Sequence, residues 1–452
     1  MNILLLIPGI FSSVFVIRRR IVTAFFSVYL PSLLLLPQEY SLRIPHFPPL
    51  TAAQFALIPI GIVALRQLIR SRSFRLMDAL VVMFVASITT TEILREPIVT
   101  NGIFAGIDSF VSILLAYVTG RRLIEPDLRL EAIRRIVILF LLTSPIGVWE
   151  WRMEQNPYTE FGQKFLGIVY QVGGVRNDYE RQGGSFNSPE IEGIALGMTF
   201  ALNAWLVFLN KRQKRAKLGG LLSKLEKFHV PGLLLILLIW FTGSRGPLIS
   251  LAAGIIVLQI SKVKYPKVAT VVVIVLLIVG FQEMQEYFAR LTDVNRFSRM
   301  SAQVSSARYR RIMNEVYAPI AEKGGWLGWG GTGVPTVAGM RSIDNEFLRV
   351  HLVQGELGYI LFVLICAESI RTAIAQFWRF QVLEDRVFAC SMLAVFTILW
   401  ITLYTVFMGA QLPQFAFLLI GWGQSIVPGR TLTASVAAPE TQPEFVIRSV
   451  LR

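Results

Sequence analysis

The stretch VFACSMLAVFTILWITLYTVFM, residues 387–408, decides the fold class, because it contains no charged side chain. A run of this kind matches the hydrocarbon thickness of a bilayer, which an α-helix crosses in about 17–25 residues. Its apolar residues show no periodicity that would mark one buried face of a soluble protein. The stretch therefore predicts a transmembrane helix.

The composition of the whole chain points to the same class. Hydrophobic residues make up 54% of the 452 and charged residues 16%, and the mean hydropathy is +0.57. A soluble protein could not bury that much apolar surface. Cys366 and Cys390 lie in or beside apolar spans, and we interpret both as core residues rather than as a disulfide or metal framework. The sequence predicts an all-α polytopic membrane protein.

Further apolar runs on both sides of this stretch predict 12–13 transmembrane helices in one domain, residues 1–428. The first run ends at Arg18–Arg20, whereas a signal peptide carries its positive charge before the apolar run, so we interpret it as a span with its N-terminus outside. Residues 429–452 are polar and Pro/Thr/Ala-rich, as is typical of a short disordered cytoplasmic tail. The predicted spans lie near residues 1–17, 21–37, 51–65, 76–92, 103–119, 136–151, 191–209, 232–243, 247–260, 268–282, 357–375, 387–408 and 411–427.

The net charge of +15 reflects topology rather than nucleic-acid binding. Alternate short loops carry clusters of Lys and Arg, which mark the cytoplasmic side of a membrane protein. Two long outward loops, about 152–190 and 283–350, are nevertheless rich in Arg. Long loops translocate largely regardless of charge, and an anionic ligand at the outer face is the alternative reason. The basic clusters are Arg18–Arg20, Arg66–Arg75, Arg121–Arg135, Lys211–Lys227, Lys262–Lys267 and Arg371–Arg386.

Two short polar segments beside apolar spans carry the first candidate site residues. Arg181 opens RQGGSFNSPEIEG, in which the paired glycines permit close backbone approach. Asn187 or Ser188 is a typical helix cap, which leaves Arg181 unexplained, and a helix N-terminus is itself an anion site. Arg245 lies in FTGSRGPLIS between two apolar segments. Such an Arg is costly unless it snorkels to the interface or faces a polar cavity, and we favour the cavity.

A third segment, SARYRRIMNEVYAPIAEKGG, predicts an amphipathic helix with an apolar face that includes Met313 and Tyr317. Its Arg310 and Arg311 belong either to a solvated face or to a phosphate site, because the planar guanidinium binds phosphate oxygens bidentately. The helix is followed by the Gly/Trp-rich sequence GGWLGWGG, residues 324–331. The sequence leaves both roles of the two arginines open.

The fourth segment begins with Asp344-Asn345-Glu346, just before an apolar span. Asp344 either caps the coming helix or accepts a proton from a hydroxyl nucleophile. His351, seven residues later, would share a helical face with Asp344, although a lone His at a membrane edge is more often structural.

These four segments, in this order across about residues 180–365, resemble the O-antigen ligase and polysaccharide polymerase superfamily. RQGGSFNSPEIEGIALGM is similar to its Arg-x-x-Gly-x-Phe-x-x-Pro segment, and FTGSRGPLISLAAGIIV to its Thr-x-Ser-Arg-Gly segment. YRRIMNEVYAPIAEKGGWLGWGGTG is similar to its Arg-bearing helix with a Gly-x-Gly turn. DNEFLRVHLVQGELGYILFVLI is similar to its His/Asp-Asn-x-x-Leu…Gly-x-x-Gly segment.

The resemblance implies a GT-C-like, metal-independent and cofactor-free glycosyltransferase of the bacterial inner membrane. Such an enzyme moves a glycan from an undecaprenyl diphosphate carrier to an acceptor sugar hydroxyl at the periplasmic face, and arginines neutralise the diphosphate leaving group. The implied partners are the lipid-linked glycan, the acceptor glycan, membrane lipid and a chain-length regulator. The implied catalytic residues are Asp344, Asn345, Arg245 and Arg310. The implied diphosphate-binding residues are Arg181, Arg245, Arg310 and, on charge alone, Arg311.

Asp344 stands where ligases that attach O-antigen to lipid A core usually carry His. This departure favours a polymerase that joins repeat units of O-antigen, capsule or exopolysaccharide. It leaves the catalytic base open between Asp344 and no dedicated side chain. A ligase that transfers the finished glycan is the second hypothesis. A transporter or flippase is the third, but transporters carry charge near the midplane, whereas the charge here gathers at the outer boundary.

Overall fold

The computed structural model describes residues 2–42, 47–167, 181–212, 229–292, 302–340 and 342–425. The predicted tail, residues 429–452, lies outside this part of the chain, and so do segments of both long outward loops and the basic loop 213–228.

Within these ranges the chain is almost entirely helical, as the sequence predicts. The regular strands described are two short ones, β1 (Ser41–Leu42) and β2 (Leu50–Thr51), which pair antiparallel. The α-helices are α1 (Ile7–Ile17), α2 (Ile21–Ala24), α3 (Leu30–Leu35), α4 (Ala52–Ser71), α5 (Leu76–Arg95), α6 (Val99–Ser109), α7 (Ala116–Leu123), α8 (Arg129–Met153), α9 (Pro157–Phe161), α10 (Pro189–Arg212), α11 (Val230–Phe241), α12 (Arg245–Gln259), α13 (Pro266–Thr292), α14 (Ala302–Lys323), α15 (Glu346–Arg379), α16 (Leu383–Leu403) and α17 (Leu412–Ser425). One π-helical turn, Phe25–Tyr29, joins α2 to α3, and another, Phe110–Leu115, joins α6 to α7.

In the described part of the chain, seven helices are long and apolar enough to cross a membrane. This confirms the prediction of a helical membrane protein. The other predicted spans also coincide with helices, but their apolar stretches are shorter, and the total of 12–13 membrane crossings stays a prediction. The seven are Ala52–Ser71, Leu76–Arg95, Val99–Leu123, Pro126–Met153, Pro189–Lys211, Glu346–Arg379 and Leu383–Leu403.

The predicted span 387–408 is wrong at its C-terminal end, because α16 stops at Leu403. Residues 404–411 form the connection to α17, and Ala410 there has a left-handed backbone (φ 49°). Val406 and Met408 are nevertheless buried. Hydropathy indicates that a segment avoids water but does not show that it is helical. The apolar, buried loop after Leu403 was therefore predicted as part of the preceding span.

The helices pack most tightly where small residues meet. A Cβ atom on Gly120 of α7 would lie 1.9 Å from the carbonyl oxygen of Leu418 on α17. A Cβ on Gly421 would lie equally close, 1.9 Å, to the carbonyl oxygen of Tyr117. Glycine pairs of this kind let helix backbones touch, which is a common way to associate helices in a membrane. In contrast, α13 exposes a row of apolar side chains, as a lipid-facing helix does, namely Val268, Val271, Val272, Val275, Leu276 and Val279.

The helix α15 is broken at Gly355, where φ is 66° and ψ is −164°. The Gly/Trp turn, residues 324–331, fits into this break. Glu356 N–H donates to the carbonyl oxygen of Gly325 (3.1 Å), and Trp329 N–H donates to a carbonyl on the other side of the break (2.9 Å). The turn thus satisfies backbone groups that the break frees, which is a requirement for non-helical backbone inside a membrane protein.

Candidate functional site

Arg181 joins two segments that are far apart in the sequence. Its Nε donates to the carbonyl oxygen of Thr242 (3.1 Å), and its Nη2 donates to Glu190 Oε1 (2.6 Å). Nη2 also donates to the hydroxyl of Ser244. Arg181 therefore ties the segment before α10 to the turn between α11 and α12, at the residue immediately before Arg245. Its charge is already paired with a carboxylate.

The glycines that follow Arg181 are approached by a carboxylate of the same chain. Glu150, fully buried in α8, accepts hydrogen bonds from Gly183 N–H at Oε1 (3.1 Å) and from Gly184 N–H at Oε2 (3.0 Å). Asn156 Nδ2 donates to the same Oε1 (2.9 Å). The group that closely approaches the glycine backbone is therefore the Glu150 carboxylate. The N–H groups of Gly183 and Gly184 are occupied by it and are not open to an external anion.

Arg245 is the first residue of α12, and its side chain is exposed. It has no hydrogen-bond or ion-pair partner among the residues that the structure describes. The next residue, Gly246, lies against the connection to α17, because a Cβ there would be 3.0 Å from Thr405 Oγ1. Arg245 is therefore a free cation at the end of the bundle, and it does not line the cavity described below.

Arg310 and Arg311 are neighbours on α14 in different environments. Met313 and Tyr317 are buried, which confirms the predicted amphipathic helix. Arg311 Nε pairs with Glu315 Oε1 one turn later (2.9 Å), and both side chains are largely exposed. Arg310 Nε is buried and makes no hydrogen bond to any described residue. The two candidates therefore differ, since only Arg311 is already neutralised.

Asp344 and Asn345 lie directly before α15, and Asn345 rather than Asp344 caps this helix. Asn345 is the N-cap, because its side-chain oxygen accepts from Leu348 N–H (3.3 Å). Asp344 Oδ1 instead accepts from the hydroxyl of Ser342 (2.7 Å). The capping role considered for Asp344 is therefore wrong by one residue. The helical face that it was expected to share with His351 is wrong too, since Asp344 precedes the helix.

The arginine-bearing α14 and the Asp344 segment are held together by direct contacts. Tyr309 OH donates to the carbonyl oxygen of Ser342 (2.7 Å) and accepts from its N–H (2.9 Å). Asn345 Nδ2 donates to Asn314 Oδ1 (3.4 Å). Arg310, which follows Tyr309, is thereby brought into the neighbourhood of Asp344. These residues form one half of the candidate site. The other half is the turn between α11 and α12, which precedes Arg245 and is held by Arg181.

The connection between α16 and α17, residues 404–411, links the two halves. Its role was not predicted from the sequence. Thr405 packs against Gly246 beside Arg245. Met408 N–H donates to Glu346 Oε2 (2.7 Å), two residues after Asp344. Gln411 Nε2 donates to the carbonyl oxygen of Ser185 (3.0 Å) in the segment that Arg181 opens. Three of the four segments of the resemblance thus contact this loop, and the third segment, α14, joins them through its contacts with the Asp344 segment.

A cavity of about 710 Å³ lies beside this loop, among the ends of α4, α5, α6, α15 and α17. None of the predicted site residues lines it. Its charged lining consists of Glu92, Asp108 and Glu346 with one cation, Arg349. Aromatic rings, including Phe407, line it as well. The volume falls within the range of about 300–1,000 Å³ that is usual for small-molecule sites.

The polar groups of this cavity are held in place by one another. Gln54 Nε2 donates to Asp108 Oδ1 (2.5 Å) and to Ser112 Oγ (2.8 Å). Glu92 Oε2 accepts from Gly331 N–H in the Gly/Trp turn (3.1 Å). One signal could have revealed the cavity from the sequence: Glu92 and Asp108 are carboxylates inside predicted spans, and such residues usually face a cavity or a partner.

The described residues contain no group of three or more His, Cys, Asp or Glu side chains that could hold a metal ion. The sequence matches no model of a known protein family, and it matches no protein of curated function. The functional assignment therefore depends on the four motifs and on the geometry above.

Proposed function

We propose that the protein is a membrane glycosyltransferase that polymerises undecaprenyl-diphosphate-linked repeat units into a surface polysaccharide at the periplasmic face. The observation that carries the proposal is the pair of cations Arg245 and Arg310, which have no partner among the described residues and lie at the end of the bundle that holds the cavity. Guanidinium groups kept free of carboxylates suit an anionic ligand such as a diphosphate.

In this proposal the acceptor hydroxyl attacks the anomeric carbon, and the bond from that carbon to the diphosphate oxygen breaks. The electron pair leaves with the diphosphate, and Arg245 and Arg310 stabilise the charge that develops there. Arg181, already paired with Glu190, acts chiefly by holding the turn that presents Arg245. Arg311, paired with Glu315, contributes less.

A polymerase is favoured over a ligase by Asp344, which occupies the position where ligases of the superfamily usually carry His. A shared active site is supported by the contacts among the four motif segments. Three of them touch the connection 404–411, and the Arg310 segment touches the Asp344 segment.

The proposal is tested with purified protein in proteoliposomes that contain a lipid-linked repeat unit. The wild-type protein should form a ladder of long glycans. Arg245→Ala and Arg310→Ala should each lower the rate by about 10²–10³-fold, the effect of removing a transition-state donor. Arg135→Ala is the control, since Arg135 is a half-exposed arginine at the other end of the bundle that pairs with Glu131. An unchanged ladder in both site variants would remove the proposed leaving-group role.

Deletion of the gene, followed by gel analysis of the cell's glycans, separates a polymerase from a ligase. Single repeat units on the acceptor are the result expected for a polymerase. Long carrier-linked chains that never reach an acceptor would show a ligase instead.

A further inference from the structure

Glu346, in the first turn of α15, is a buried carboxylate that opens onto the cavity. Its Oε2 accepts from Met408 N–H (2.7 Å) and from Arg349 Nη1 (3.4 Å). Its Oε1 has no hydrogen-bond partner among the described residues. One oxygen is therefore fixed by the protein, while the other remains available to a ligand in the cavity.

Asp344 is placed differently, although it is only two residues away. It does not line the cavity, and its Oδ1 accepts from the Ser342 hydroxyl (2.7 Å). A general base must reach the proton that it removes within hydrogen-bond distance. Of the two carboxylates, Glu346 is the one that lines the cavity.

The charge of the cavity indicates which substrate it accepts. Three carboxylates, Glu92, Asp108 and Glu346, line it against the single cation Arg349. Such a wall repels a diphosphate or an acidic sugar, and it offers acceptors to hydroxyl and ammonium groups. Gln54 and the ring of Phe407 add an amide and an apolar surface. Neutral and amino sugars have the matching combination of hydroxyl groups and apolar C–H faces.

We infer that the cavity binds a neutral or amino sugar at the attacking end of the acceptor glycan, and that Glu346 is the general base. This inference rests on the proposed function. As the hydroxyl oxygen bonds to the anomeric carbon, its proton passes to Glu346 Oε1. The bond to the diphosphate breaks in the same step, with the diphosphate lying outside the cavity beside Arg245 and Arg310. The proton is later released to water.

The first test compares three variants in the proteoliposome assay. Glu346→Gln retains an oxygen that can accept from Met408 N–H, yet it cannot take a proton. It should therefore lower kcat by about 10²–10⁴-fold, the usual contribution of a general base. Asp344→Asn should lower kcat less than Glu346→Gln does, because Asp344 does not line the cavity. Glu131→Gln, at an exposed carboxylate of the opposite end, is the control and should be unchanged.

Chemical rescue distinguishes a base from a structural residue. Added formate should restore part of the activity of Glu346→Ala, because it can enter the vacated position and accept the proton. It should not restore Arg245→Ala. Three outcomes would each overturn the role of Glu346: full activity in Glu346→Gln, a larger loss in Asp344→Asn than in Glu346→Gln, or a Glu346→Ala variant that formate does not rescue. A wild-type protein that forms no polymer would instead overturn the proposed function.

The sugar class is tested by binding alone, without the reaction. Chitobiose should bind the purified protein at least about tenfold more tightly than digalacturonic acid, and Asp108→Asn should reduce this preference. Equal binding, or a preference for the acidic disaccharide, would overturn the assignment of the cavity to neutral and amino sugars.

Discussion

The most buried arginine at one end of the helical bundle is paired, whereas two arginines at the other end are not paired with any described residue. At one end Arg129 pairs with Asp385 (2.7 Å), and both are almost fully buried. At the other end Arg245 and Arg310 have no partner among the residues described. A buried charge is destabilising unless it is paired, so the first arrangement holds the fold together. The second leaves cations for a ligand to neutralise.

The paired end also connects helices that are distant in the sequence. Arg121, which lies beside Asp78 (3.3 Å), donates from Nη1 to the carbonyl oxygen of Gln424 at the end of α17 (2.8 Å). Tyr117 donates to the same carboxylate. This network joins α5, α7 and α17. Paired charges of this kind stabilise the fold of a membrane protein, whereas charges without a partner are candidates for binding a ligand.

The largest effect on stability is expected from breaking a buried pair. Arg129→Ala leaves Asp385 charged and buried, which should lower the free energy of unfolding by about 3–5 kcal/mol. Thermal unfolding in detergent and the yield in membranes measure this. The double variant Arg129→Ala/Asp385→Ala should recover part of the loss, because it removes the orphaned charge. A single variant as stable as the wild type would contradict the structural role of the paired end.

A smaller effect on stability is expected at Gly355, where the lack of a side chain lets the Gly/Trp turn fit into the break in α15. A Cβ on Gly355 would lie 2.3 Å from both Gly325 O and Gly328 N, at a φ of 66°. Gly355→Ala should therefore cost about 1–3 kcal/mol of stability and displace the Gly/Trp turn. Gly280→Ala on α13 is the control, because a Cβ there meets nothing within 4 Å. Equal unfolding temperatures for the two variants would show that the turn is not docked in the break.

The smallest effect is expected at Arg311, which sharpens the contrast between paired and free arginines. Its exposed bridge to Glu315 is worth about 1 kcal/mol or less. Arg311→Gln should therefore leave stability and polymer length nearly unchanged, whereas Arg310→Ala abolishes long polymer. The gel assay compares them directly. If both variants lose polymer equally, the ion pair does not keep Arg311 from the diphosphate, and the distinction between the two arginines is void.

The helices and their order could be predicted from hydropathy, because long apolar runs have few alternatives to a membrane-spanning helix. The amphipathic α14 could be predicted from the spacing of Met313 and Tyr317. The end of α16 could not be predicted, because Val406 and Met408 in the following loop are apolar and buried, as the residues of a helix would be. The cap at Asn345 rather than Asp344 depends on one residue of register, which lies below the accuracy of such patterns.

The candidate site was predictable only in part. Motif spacing marked Arg181, Arg245 and Arg310, but it does not reveal that the connection 404–411 touches the segments of Arg181 and Arg245. The cavity was not predicted because its polar residues come one at a time from separate spans, and its only signal was the carboxylates Glu92 and Asp108 inside two of them. A site assembled from single residues of many helices has no local pattern to recognise.

Binding of undecaprenyl diphosphate to the purified protein in nanodiscs, measured by titration calorimetry, tests the free cations without the transfer reaction. Each charge-assisted hydrogen bond is worth about 1.5–3 kcal/mol. Arg245→Ala and Arg310→Ala should therefore each raise Kd by at least about tenfold, while Arg135→Ala leaves it unchanged. Wild-type protein should also prefer the diphosphate to undecaprenyl monophosphate. A Kd for the diphosphate that is the same in the wild type and in both site variants would contradict the assignment of these arginines to an anionic ligand.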